Sequence, residues 1–94
     1  MPRLDPFSTR RLPLVGMVHL PALPGAPGHA FGMRAILSRV CDDVGALCAA
    51  GFDGVIVENY GDTPFHPEAV APETVSAMTL CVDAAVRAAE DRPV

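Results

Sequence analysis

Residues 14–20 read Leu-Val-Gly-Met-Val-His-Leu, and this stretch decides the fold class. It is short, almost continuously apolar and rich in β-forming residues, a pattern typical of a strand buried on both faces of a parallel sheet. A second run of the same kind, Gly-Val-Ile-Val-Glu-Asn, occupies residues 54–59. Polar residues stand near the end of each run, His19 in the first and Glu58 with Asn59 in the second. The sequence therefore predicts two buried strands, over 14–20 and 54–59, that end in polar side chains.

Each predicted strand is followed by an irregular loop and an amphipathic helix. Residues 21–32 contain three prolines and three glycines, which exclude regular structure there. Apolar side chains then recur every three or four positions over residues 33–50, and Gly51 ends this predicted helix in the C′ position. Residues 60–71 form a second irregular loop. A proline at the first position and a second apolar stripe predict a helix over residues 72–91.

The spacing of these elements indicates an α/β architecture. Equivalent strand positions, Val15 and Val55, lie 40 residues apart (55 − 15), which is the spacing of βα units in a parallel sheet. The sequence predicts the order β1-α1-β2-α2, preceded by an N-terminal arm at residues 1–11. Both strand-to-helix loops are long, and the carboxyl edge of a parallel sheet, where such loops lie, is where binding sites form. Two such units cannot close a sheet alone, so the chain is expected to end before a complete fold.

The composition excludes two function classes. Seven basic and 11 acidic residues give a net charge of −4, and the 94 residues include no lysine. Nucleic-acid binding needs clustered basic side chains, so we expect no nucleic-acid partner. The prolines and glycines in the uncharged stretch at residues 12–33 would break a membrane-spanning helix, so no integral membrane segment is predicted.

The N-terminus and the cysteines indicate the cellular compartment of the protein. Arginines precede the apolar run at residues 12–20, as in a secretory signal, but Pro13 and His19 interrupt that run. The three cysteines, Cys41, Cys48 and Cys81, form no Cys-x-x-Cys pair. We therefore predict a cytoplasmic protein whose cysteines are reduced and buried as small apolar side chains.

Two groups of motifs resemble those of a known family. The first is Gly-Met-Val-His-Leu-Pro at residues 16–21 with Leu-Pro-Gly at 23–25. The second is Val-Glu-Asn-Tyr-Gly-Asp at 57–62 with Pro-Phe at 64–65. Together they resemble the BtpA/SgcQ family, and the resemblance covers most of the chain. It implies that the chain, residues 1–94, is the N-terminal part of a single (β/α)8 TIM-barrel domain of the phosphate-binding type, which needs about 250 residues to close.

The resemblance also bears on function. One branch of the family is implicated in photosystem I accumulation in cyanobacteria, and another lies among sugar-metabolism genes. Ala26 and Tyr60 depart from the family pattern, which has a small polar residue and a phenylalanine at these positions. Ala26 removes a possible ligand hydroxyl. The resemblance therefore implies a fold and leaves the reaction open.

The strand ends supply the candidate catalytic residues. Glu58 and Asn59 end the second strand, where a carboxylate could act as a general base, ligate a metal or bind a sugar hydroxyl. The structural alternative is an acid used in an internal ion pair. His19 ends the first strand and could either face a ligand or be a hydrogen-bonded core residue. Since consecutive strands of a barrel are neighbours, we expect the His19 and Glu58 side chains within about 6 Å of each other.

The loops supply weaker candidates. Asp62 follows the second strand and could join the catalytic set, or could be an Asx-turn residue. With His66 it could complete a metal set with His19 and Glu58, but this spacing means little off a helix, and no metal is predicted. The glycines of residues 25–32 do not have the spacing of a nucleotide-binding loop, so no cofactor-binding residues are predicted and the cofactor stays unknown.

Three functions from different classes follow. The first is an enzyme that acts on a small sugar- or nucleoside-like, phosphorylated molecule. The second is a non-enzymatic assembly or stability factor for a membrane complex, and the third is a non-functional truncated remnant. In the first two, the remainder of the barrel is a required partner, supplied by a longer reading frame or by another chain.

Overall fold

The computed structural model describes residues 12–62 and 70–94. In chain order the elements are β1 (Val15–His19), α1 (Met33–Ala49), β2 (Gly54–Glu58) and α2 (Pro72–Ala89). This order confirms the predicted β1-α1-β2-α2 arrangement. The predicted arm at residues 1–11 lies outside the described residues, as does His66.

The two strands pair in parallel. Their register places Val18 opposite Val57 and His19 opposite Glu58. Alternation along β1 buries Val18 beneath the helices and leaves Met17 on the other face of the sheet, where it is exposed. In β2, Val55 is buried and Ile56 is exposed. The sheet thus has a face covered by helices and an open face, and the open face is largely apolar.

The helices cover the sheet because each directs an apolar stripe towards it. The core consists of side chains from both strands, both helices and the first loop: Val18, Leu20, Leu23, Ile36, Val40, Val44, Val55, Ala77, Cys81, Ala85 and Ala89. Burial raises the pKa of the Cys81 thiol, so this side chain packs as a neutral, apolar group. All three cysteines are free. Cys81 is buried as predicted, Cys48 is half-buried, and the prediction of burial is wrong for Cys41, which is exposed. Cys41 follows the buried Val40 and lies on the outer side of α1.

The turn between α1 and β2 is tight. Gly51 has a φ of 92°, and this left-handed conformation gives it the predicted C′ role after Ala50. The N–H of Gly51 donates to the carbonyl of Cys48, and the N–H of Phe52 donates to that of Leu47. These bonds satisfy carbonyls at the helix end and direct the chain straight into β2.

The segment after α2 returns to the sheet. The carbonyl of Pro93 accepts a hydrogen bond of 3.0 Å from the N–H of Val55, on the edge of β2 that β1 does not use. The Arg92 side chain supports this return because its Nε donates to the carbonyl of Phe52 at 3.0 Å. In the part of the chain that the structure describes, neither helix is long and apolar enough to cross a membrane.

Candidate functional site

His19 and Glu58 form a pair at the carboxyl ends of the two strands. They are direct neighbours in the parallel register, and His19 Nε2 lies 3.6 Å from Glu58 Oε2. The expected proximity of the two side chains is confirmed. The side chains are 51% and 42% exposed, on the open face of the sheet. Both groups are therefore accessible in the part of the chain that the structure describes.

Tyr60 extends this pair. Its ring stacks on the His19 imidazole with centroids 4.5 Å apart and an angle of 14° between the planes. Tyr60 is itself exposed, so the stack is open to solvent. Tyr60 is not among the candidate site residues that the sequence predicts. Its position directly after Glu58 and Asn59 was the available signal, because residues that leave a strand at its carboxyl end lie beside the neighbouring strand end.

Asp62 is buried and used within the fold. Its Oδ1 accepts a hydrogen bond of 2.7 Å from the N–H of Leu23, and its Oδ2 accepts one of 3.1 Å from Asn59 Nδ2. Asp62 is only 4% exposed. Its carboxylate therefore binds the loop after β1 and the Asn59 amide, while the residues that would complete an Asx turn after it lie outside the described residues. This places Asp62 behind the site and not at its surface.

Further contacts join the two strand-to-helix loops. The N–H of Gly61 donates to the carbonyl of Leu20 at 3.0 Å, and Thr74 Oγ1, in the first turn of α2, donates to the carbonyl of Pro24 at 2.6 Å. We call these two bonds, together with the bond from Leu23 to Asp62, the loop clamp. The loop clamp fixes the segments that frame His19 and Glu58, so the candidate site is preorganised by hydrogen bonds between the two loops.

We expect Asp62→Ala to lower the free energy of unfolding by about 1–3 kcal/mol, because the buried N–H of Leu23 would lose its acceptor. Chemical denaturation of a full-length protein that carries this chain measures the effect. Asp42→Ala, at an exposed position of α1, is the control and should change the free energy by less than about 0.5 kcal/mol. Equal effects of the two substitutions would show that the buried contact contributes nothing.

A groove lies beside Asn59. It has a volume of about 460 Å³ and is lined by Asn59 and by residues of or next to α2, namely Val70, Thr74, Val75, Met78, Thr79 and Val82. Asn59 is half-buried and supplies an amide to a mostly apolar wall. Within residues 12–62 and 70–94, no three His, Cys, Asp or Glu side chains are grouped as a metal site requires. The site therefore consists of His19, Glu58 and Tyr60 on the open face, with Asn59 and Asp62 behind them.

Comparison with known proteins identifies the relatives of this chain. The "Photosystem I biogenesis protein BtpA" of Synechocystis is 45% identical over 82 residues, which are 85% of this chain and 29% of that protein. An uncharacterised protein of Pyrococcus horikoshii is 46% identical over 68 residues, 72% of this chain and 26% of that protein. An uncharacterised mitochondrial protein of Caenorhabditis elegans is 46% identical over 76 residues, 80% of this chain and 27% of that protein.

The chain thus spans between 26% and 29% of the length of these three relatives. No solved structure matches it. The model of the BtpA family matches residues 10–90, which include both strands, both helices and every candidate site residue. The chain belongs to the BtpA family.

Proposed function

We propose that this chain forms two βα units of a (β/α)8 barrel, and that His19 and Glu58 are an acid–base pair of an enzyme that acts on a small, phosphorylated sugar- or nucleoside-like molecule. The observation that carries this proposal is the position of the pair, half-exposed at the carboxyl ends of two parallel strands. In barrels of this type, active sites form at that edge of the strands.

The open face of the sheet supports the barrel part of the proposal. Met17 and Ile56 are direct neighbours in the register, and both are exposed on that face. In a (β/α)8 barrel the equivalent face points to the axis, where layers of apolar side chains fill the interior. The hydrogen bond from Val55 to Pro93 also supports it, because a third parallel strand would lie along that edge of β2. The rest of the barrel would cover the open face of the sheet and the free edge of β2.

The pair supports the enzymatic part. A carboxylate and an imidazole that share one exposed site can accept and donate a proton, which is the requirement for general acid–base catalysis. The separation of 3.6 Å is longer than a hydrogen bond, and such pairs often tighten when substrate binds. The exposed Tyr60 ring beside them provides a flat surface against which a ligand ring can pack.

The test uses a full-length hybrid in which residues 10–90 replace the matching segment of the Synechocystis relative. Thermal unfolding of the hybrid is measured with three probes, ribose phosphate, glucose phosphate and adenosine monophosphate. We expect at least one probe to raise the unfolding temperature, since a ligand that binds only the native state stabilises it. Should none of the three do so, the proposed substrate class is wrong.

Glu58→Gln separates a functional acid from a structural one. We expect it to abolish the stabilisation by the probe that binds, and to change the free energy of unfolding by less than about 1 kcal/mol, because Glu58 is exposed and makes no buried contact. Denaturation of the hybrid without and with the probe gives both values. Asp42→Asn on α1 is the control. A loss of several kcal/mol in the absence of probe would instead make Glu58 a structural residue.

A second function is supported by one relative. The Synechocystis protein that is 45% identical to this chain is named for photosystem I biogenesis. We propose as the alternative that the full-length protein is a non-enzymatic assembly or stability factor for a membrane complex. The hybrid, placed in a Synechocystis strain that lacks its own protein, would then restore the photosystem I level even with Glu58→Gln. Restoration that depends on Glu58 would favour the enzyme.

A further inference from the structure

The Asp62 carboxylate determines which atom of the Asn59 amide remains free. Oδ1 of Asp62 accepts from the N–H of Leu23 at 2.7 Å, and Oδ2 lies 3.1 Å from the Asn59 side chain. An ionised carboxylate accepts hydrogen bonds and donates none. Asn59 must therefore turn its NH2 group towards Asp62, and its carbonyl oxygen points away. No donor within residues 12–62 and 70–94 reaches that oxygen.

We propose that Asp62 is a positioning residue that holds the Asn59 carbonyl oxygen towards the ligand, so that the site takes a ligand group that donates hydrogen bonds, a hydroxyl or an amine. The inference rests on the proposed function for the existence of a ligand, but the orientation of the amide is independent of it. Asn59 follows Glu58 directly and lines the groove of about 460 Å³. Glu58 does not line this groove, so the Asn59 oxygen is the acceptor that the groove offers, and it suits a hydroxyl- or amine-bearing part of a ligand rather than a phosphate group.

The isosteric substitution Asp62→Asn reverses this arrangement. The N–H of Leu23 still requires an acceptor, so the new amide must direct its oxygen to Leu23 and its NH2 group to Asn59. Asn59 can satisfy that donor only by turning its own carbonyl oxygen inward. Its NH2 group then faces the ligand. The substitution keeps the shape of the side chain at position 62 and the number of hydrogen bonds. It changes the group that Asn59 presents to the ligand from an acceptor to a donor.

A second substitution restores the acceptor. In the double variant Asn59→Asp with Asp62→Asn, one oxygen of the new carboxylate accepts from the new amide. The other oxygen faces the ligand. The residue types at the two positions are exchanged, and the ligand again meets an acceptor. A purely structural role for Asp62 predicts no such rescue, because it assigns no importance to the outward atom of residue 59.

The sequence makes this orientation measurable. Asn59 is the single asparagine of the chain, which has no glutamine, so its NH2 group is the sole side-chain amide in the 94 residues. In the hybrid with ¹⁵N label confined to the segment from this chain, we expect a single NH2 pair, with one proton shifted downfield by its bond to the carboxylate. Asp62→Asn should give two pairs and remove the downfield shift from Asn59. The double variant should give a single, downfield-shifted pair.

Binding of the probe that stabilises the hybrid completes the test. We expect Asp62→Asn to weaken binding about 10- to 100-fold, as for a loss of one well-placed hydrogen bond, and the double variant to restore most of it. Persistence of the downfield Asn59 proton in Asp62→Asn, or weak binding by the double variant, overturns the proposal. If no probe binds, the proposed function fails, while the amide spectra still decide the orientation.

Discussion

Expressed alone, the 94-residue chain is expected to show no cooperative thermal transition. The open face of its sheet exposes Val15, Met17 and Ile56 by 40%, 45% and 51%. The outer side of α2 adds Val75 and Val86, exposed by 55% and 48%. A two-stranded sheet is marginal in water unless its apolar face is covered, and exposed patches of this kind are rare on monomers. Circular dichroism during heating should therefore change gradually, and the chain should bind a dye specific for exposed apolar surface.

The hybrid provides the comparison. With residues 10–90 joined to the remainder of the Synechocystis relative, both apolar surfaces acquire cover, and we expect one sharp transition with little dye binding. The isolated chain would contradict the expectation if it were monomeric and unfolded in one sharp transition with well-dispersed amide signals. Its own two βα units would then suffice as a folded domain despite the open apolar face of the sheet.

Gly61→Ala is expected to be among the most destabilising single substitutions, at about 3 kcal/mol in the hybrid. A Cβ atom at Gly61 would lie 2.5 Å from the nitrogen of Ala22 and 2.7 Å from the carbonyl oxygen of Leu20. Both are backbone atoms, so no side-chain rotation can make room. The loop after β2 would have to move away from the loop after β1, which breaks the bond from Gly61 to Leu20 and strains the neighbouring bond from Leu23 to Asp62.

Gly45→Ala is the matched control. Gly45 lies within α1, and a Cβ atom there would meet nothing within 4 Å. The same substitution should therefore stabilise the protein by about 0.5–1 kcal/mol, since alanine is the better helix former. Urea denaturation of the two variants should give shifts of opposite sign. A small or stabilising effect of Gly61→Ala would mean that the two loops are not in the close contact described here.

The sequence was sufficient for the elements and for one contact of the site. Apolar runs and apolar stripes have different periods, so they distinguish the strands from the helices without knowledge of the tertiary structure. The proximity of His19 and Glu58 followed from one topological rule, that consecutive parallel strands are neighbours with their carboxyl ends together. The strand ends are less well predicted. Leu14, for example, directs its N–H to the Asp53 carboxylate and lies outside β1.

The role of Asp62 could not be predicted from the sequence. Its contact with Leu23 joins residues 39 apart in sequence, and it depends on how two irregular loops fold against each other. No periodic pattern specifies such loops. The stack of Tyr60 on His19 could not be predicted for the same reason, since Tyr60 lies in the loop beyond the end of β2. The sequence does not predict the exposure of Cys41, because helical spacing places this residue at the edge of the apolar stripe. At such an edge, the packing of the neighbouring elements determines whether a side chain is buried or exposed.

The loop clamp also bears on the order of events during folding. Its side-chain bonds join residues 39 and 50 apart in sequence, so each closes a large loop and has a high entropic cost when formed early. That cost falls once β1 and β2 have paired and α1 has packed on the face of the sheet, because the strand ends are then already adjacent. On a ribosome, Thr74 must emerge before the last of these bonds can form. The carboxyl edge of the sheet is therefore completed late, and His19 and Glu58 acquire their surrounding loops only after most of the core has been buried.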